Sequence, residues 1–116
     1  MLSQYPPLAT RSTVTPEAMR AVNTEVVRAF LRLARERGSV PIVVLFPSRS
    51  RLDAGAGTSL AKTTLEAARI SFLDMTACVT AVPPRERFVT LHYSAATNAA
   101  IARCLRESIL AGFQSS

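Results

Sequence analysis

Apolar residues recur early in the chain at Met19, Val22, Val26, Phe30 and Leu33. Steps of three and four lay them on one face of an α-helix, while Arg20, Arg28, Arg32, Arg35 and Glu36 fall largely off it. Thr15-Pro16-Glu17 supplies the start: a capping hydroxyl, a proline whose missing amide costs nothing in the first turn, and an acid at the positive end of the dipole. Gly38 supplies the stop. The pattern then changes to a continuous branched run, Val40-Pro-Ile-Val-Val-Leu-Phe46, which predicts a strand buried on both faces, with Pro41 tolerated at its beginning. Ser59 or Thr58 caps a helix over 60–68 with Leu60, Leu65 and Ala68 inward. Ile70-Ser-Phe-Leu-Asp-Met75 reads as a second, parallel strand ending at Asp74. Helix alternating with buried strand is the signature of an α/β fold.

Met75 to Val82 predicts a short helical turn, broken by Pro83-Pro84, and Arg85 to Val89 a loop with a polar rim. Ser94 is placed to cap a final helix whose inward positions are 98, 101, 102, 105, 109 and 113. Residues 1–14 carry a proline pair and no periodicity, so they read as an extended arm, 15–113 as a single domain and 114–116 as a tail. Two strands make at most a two-stranded sheet, and Val40 to Phe46 then leaves an apolar edge. A partner is therefore expected, most simply a second copy across a two-fold axis, or else a separately encoded N-terminal half.

Composition narrows the function classes. At 116 residues with 48% hydrophobic content and no Trp, the chain builds one aliphatic core and is not of a disordered composition. The formal charge of +6 invites a nucleic-acid reading, but the basic residues, all arginine except Lys62, are scattered without a run or interleaved aromatics. Solvated helix faces account for them better, and nucleic acid is not the expected partner. Cys78 and Cys104 form no CxxC, and with a single histidine there is no zinc set, so two buried free thiols and no metal or cofactor are expected. No apolar run is long enough to span a bilayer and no leader-like stretch opens the chain, which as written reads as cytoplasmic.

The candidate chemistry lies in two places. Pro47 to Thr58 leaves the C-terminal end of the first strand, the edge where open parallel sheets bind ligands. Ser48, Arg49 and Arg51 there are candidate contacts for a substrate or an anion. Gly55-Ala-Gly57 lacks the lysine of a phosphate loop. The second place is His92, two residues before the final helix, where an imidazole of near-neutral intrinsic pKa can serve as a general base. Asp74 at the end of the second strand is a candidate to orient it, or else a cap for the turn that follows. Ser48, Ser50, Ser59 and Ser94 stand in no Gly-x-Ser-x-Gly or Gly-Asp-Ser setting, so no nucleophile is assigned.

The stretch Leu91-His-Tyr-Ser-Ala-Ala-Thr-Asn-Ala-Ala-Ile-Ala-Arg-Cys-Leu105 resembles the last block of the SGNH (GDSL-like) hydrolases. The strand exits Leu45-Phe-Pro47 and Phe72-Leu-Asp74 resemble the passage before it. The resemblance covers about residues 15 to 113. It implies a partial flavodoxin-like three-layer fold, a short parallel sheet flanked by helices, with His92 as the base of a serine esterase acting on a small ester. The chain departs from the family at Val89 and Thr90, where an orienting Asp is usual, and at Thr97, where Gly is usual. It also carries no Gly-Asp-Ser block. The resemblance therefore implies a hydrolase segment inactive by itself. A non-catalytic α/β assembly module and anion or nucleic-acid binding through the Arg-rich loop 47–59 are the alternatives.

Overall fold

A computed structural model describes residues 14–55 and 59–115, in two compact units, Met1–Pro41 and Ile42–Ser116. The arm expected over residues 1–14 lies outside the described residues except for Val14.

In the first unit, helix α1 (Pro16–Glu36) starts as its sequence predicts: the Thr15 hydroxyl accepts from the Ala18 amide at 3.1 Å and Pro16 opens the first turn. It ends where Gly38 adopts φ +78°, a left-handed conformation that costs glycine little, and the Gly38 and Ser39 amides bond back to Arg35 and Ala34. Met19, Val22, Val26, Phe30 and Leu33 are 47–63% exposed, whereas Thr24, Val27, Leu31 and Ala34 are half-buried.

The second unit is built on a parallel pair, β1 (Val44–Leu45) and β2 (Leu73–Asp74), in the register Val44 to Leu73 and Leu45 to Asp74. Both strands are much shorter than the apolar runs that predict them, and they are half-buried. Pro41 can donate no ladder bond, and the Leu73 and Met75 amides, bonding to Val43 and Leu45, bound the paired stretch. Three short helices surround the C-terminal ends of the pair. They are α2 (Arg49–Asp53), α3 (Leu60–Ala67) and α4 (Thr76–Thr80). In α3 the inward residues are Thr64 and Leu65, while Leu60 is 41% exposed and receives the Thr64 hydroxyl bond on its carbonyl.

Beyond α4, a 3-10 turn (Pro84–Glu86) leads into an antiparallel hairpin, β3 (Phe88–Val89) and β4 (His92–Tyr93), where a loop was expected. Helix α5 (Ala95–Ser115) follows and runs two residues into the expected tail. Its inward face keeps Ile101, Leu105 and Ile109 of the expected positions and extends to Thr97, Ala100 and Cys104. Thr97, Ala100 and Ile101 are buried and Cys104 and Leu105 half-buried, while Asn98 and Ala102 are exposed; the side chain of Phe113 lies outside the described residues.

Two interactions hold Thr97 and Cys104 on that face. The Thr97 hydroxyl donates to the Arg87 carbonyl at 2.8 Å, which lets a polar residue be fully buried. Cys104 is joined to Cys78 of α4 by a disulfide, so the expectation of two free thiols is wrong. The bridge lies beside the core of Met75, Val79 and Ile101, against which Val44, Leu73 and Leu105 pack. No helix among the described residues is long and apolar enough to cross a membrane.

Candidate functional site

The strand β1 leaves the sheet through Phe46-Pro47-Ser48-Arg49, and this segment has a cleft on one side and the β3–β4 hairpin on the other. The cleft has a volume of about 810 Å³ and opens at the C-terminal ends of both parallel strands. Its polar lining comes from helix starts. Ser48 caps α2, its hydroxyl accepting from the Arg51 amide at 3.2 Å. Ser59 caps α3, accepting from the Lys62 amide at 3.0 Å. Thr76 begins α4, and Arg51 and Lys62 contribute the cations. Helix starts, with their unpaired amides, favour negative charge, so the lining as a whole is suited to an anionic or strongly polar group.

Asp74 is the cleft's carboxylate, and it is fully engaged. One oxygen accepts from the Thr76 hydroxyl at 2.6 Å and the Thr76 amide at 2.9 Å; the other lies 3.2 Å from the Lys62 ammonium. The Thr76 hydroxyl bond lowers its pKa most, partial burial opposes this, and the Thr76 amide and Lys62 lower it further. Asp74 therefore sits as an ionised cap and ion-pair partner.

On the other side of the segment the hairpin is held by three contacts. The Tyr93 hydroxyl donates to the Pro47 carbonyl, the Arg49 guanidinium donates to the Thr90 carbonyl, and the same guanidinium lies 5.8 Å over the Phe88 ring. Tyr93 also stacks on Phe88, with centroids 5.4 Å apart, and burial raises the pKa of its phenol. Arg49 is thus a clamp on the hairpin, with Asp53 at 3.3 Å on its Nε. The hairpin's far end is joined to α5 through Ser94. Its amide donates to Arg87, its hydroxyl to Glu86, and the same oxygen accepts the Thr97 amide at 3.1 Å.

His92 lies between these anchors, opposite Val89 in the hairpin register, and is exposed. Val89 and Leu91, 64% and 74% exposed, flank it with apolar surface. Among the described residues its ring makes no hydrogen bond to a carboxylate or a hydroxyl, and it is not part of the cleft lining. The structure thus brings Ser48, Arg51 and Asp74 together around the cleft, and places Arg49 and His92 on the hairpin side of the same strand exit. No group of three or more metal-binding side chains occurs among the described residues.

Sequence reasoning missed Lys62, Thr76 and Tyr93. A signal existed for the first two: each stands at or beside the start of a helix that follows a strand or loop on the C-terminal edge, where polar caps collect. The Tyr93 contact to Pro47 spans 46 residues, and no local pattern announces it. Comparison with protein-family models, curated proteins and solved structures finds no match for this chain.

Proposed function

We propose that this chain is the C-terminal part of an SGNH-like ester hydrolase domain. In this reading His92 is the general base, the fold is a partial flavodoxin-like three-layer arrangement, and the serine and oxyanion donors are supplied by a second polypeptide segment. The observation that carries the reading is the pinning of His92 to the C-terminal edge of a parallel strand: Tyr93, next in sequence, bonds to Pro47, which itself lines the cleft. General-base work needs an imidazole that is accessible and held in position. The exposed ring, whose nitrogens make no hydrogen bond to a carboxylate or a hydroxyl among the described residues, and the apolar rim of Val89 and Leu91 suit a surface that another segment completes. A small neutral ester is the substrate class.

Among the described residues no nucleophile is assigned for His92 to activate. Ser94 is used as a cap, and Ser48 caps α2. Purified chain is expected to show no turnover of a short-chain nitrophenyl ester and no mass shift with a fluorophosphonate probe. Labelling that appears when a separately encoded Gly-Asp-Ser segment is co-expressed, and whose rate collapses in His92→Ala, supports the reading. Labelling unchanged in His92→Ala sinks it.

A second reading is favoured by one observation: the cleft is lined by Arg51, Lys62 and the capping hydroxyls of Ser48 and Ser59, and not by His92. The chain would then be a non-catalytic module that binds a small anion. Calorimetric titration with inorganic phosphate tests it, with Lys62→Ala expected to abolish the signal. A salt-dependent gel shift would move the reading to nucleic acid.

A further inference from the structure

The exposed stripe on α1 has a finer pattern than simple amphipathicity. Met19, Val26 and Leu33 are seven residues apart, and Val22 and Ala29 fall three residues after the first two of them. That is the alternating three-and-four spacing of a helix that packs lengthwise on another helix. The four large members of this seam, with Phe30 at its edge, are 47–63% exposed on a helix with no buried residue. A stripe of this size on a well-formed helix of 21 residues is a docking surface.

The charges beside the seam select the occupant. Glu25 and Arg32 hold equivalent flanking positions one heptad apart, and Arg37 stands on the opposite flank. When two copies pair antiparallel with Val26 against Ala29 and Leu33 against Val22, Glu25 of each faces Arg32 of the other, twice over by symmetry. When two copies pair in parallel, Arg32 of each faces Arg37 of the other, a like-charge contact. The seam is therefore self-complementary in one direction only. We infer that α1 is a homodimerisation helix which pairs with α1 of a second copy of this chain, antiparallel across a two-fold axis, with Glu25–Arg32 pairs setting the register.

Glu25 lies 3.5 Å from Arg28 within its own helix, an exposed pair that is readily exchanged for an intermolecular one. The inference stands apart from the hydrolase reading: a chain without activity that dimerises through α1 upholds it, and an active monomer overturns it.

The test is sedimentation equilibrium of the full chain across the micromolar range. The native chain is expected to form a dimer, and Val26→Glu a monomer with unchanged helical circular dichroism. Glu25→Arg and Arg32→Glu should each weaken association by on the order of tenfold, and the double variant E25R/R32E should restore it. A native chain that is monomeric throughout would overturn the inference, as would a dimer indifferent to Val26→Glu. Failure of the double variant to recover the affinity lost in the single ones would overturn the antiparallel register.

Discussion

The Tyr93 hydroxyl donates a hydrogen bond to the carbonyl of Pro47, joining the residue after His92 to the exit of the first parallel strand. Pro47 is buried, so removing the donor leaves its carbonyl short of a partner. Tyr93→Phe is expected to cost about 1–2 kcal/mol in chemical denaturation. It should also remove a pH dependence. The phenol's pKa is raised in the folded chain above its ordinary 10.0, so its contribution is fully present below pH 10 and is lost as pH rises through the higher folded value. The alkaline loss of stability should be smaller in Tyr93→Phe; identical curves for the two chains would refute this role.

Cys78 and Cys104, 26 residues apart, tie α4 to α5 beside the core. Closing a loop of this length in the unfolded chain contributes roughly 3–4 kcal/mol in the chain-entropy account. Thiol titration of the denatured, unreduced protein should find no free thiol. The melting temperature should fall sharply in reductant and equally in the Cys78→Ser/Cys104→Ser double variant. Two titratable thiols would contradict the bridge. A structural disulfide of this kind persists in oxidising surroundings.

Asp74 carries a pH dependence of the opposite sign. Its pKa is lowered from 3.8, chiefly by the Thr76 hydroxyl, so its contribution is present above that ordinary value and is lost as pH falls through the lower folded one. Thr76→Val keeps the amide bond but removes the hydroxyl, and should shrink the acid-induced loss of stability. Asp74→Asn should shrink it as well. An acid transition identical to that of the native chain in both variants would show that Asp74 is not a stabilising cap.

Ser94 holds the start of α5 by accepting the Thr97 amide at 3.1 Å. Ser94→Ala is expected to cost about 1 kcal/mol or more, since the hydroxyl also donates to Glu86. Ser94→Gly should cost less at the cap but lose the same tie to Glu86. Unchanged denaturation midpoints for both variants would remove the cap.

The backbone at Thr90 tests the hairpin. Its φ of +56° is a left-handed conformation unfavourable for a branched residue, at the first turn position where glycine is usual. Thr90→Gly keeps the carbonyl that Arg49 binds and should leave stability equal or higher by up to about 1 kcal/mol. A clear loss would mean that this turn conformation is absent.

Local chemistry made much of the fold legible in the sequence. The caps Thr15, Ser59 and Ser94, the stop at Gly38 and the break at Pro83-Pro84 act on neighbouring backbone groups, so the helices they bound could be read directly, whereas α2 and the β3–β4 hairpin lie in stretches that read as loops. Contacts distant in sequence were decided only by tertiary structure. Whether Thr97 is buried and whether Cys78 meets Cys104 depend on what another element presents. On α5 the Arg87 carbonyl and the disulfide bring Thr97 and Cys104 inward beside the apolar Ile101, Leu105 and Ile109. The strands shrank to two residues each because a ladder needs a partner on the other strand at every position, a condition no single apolar run contains.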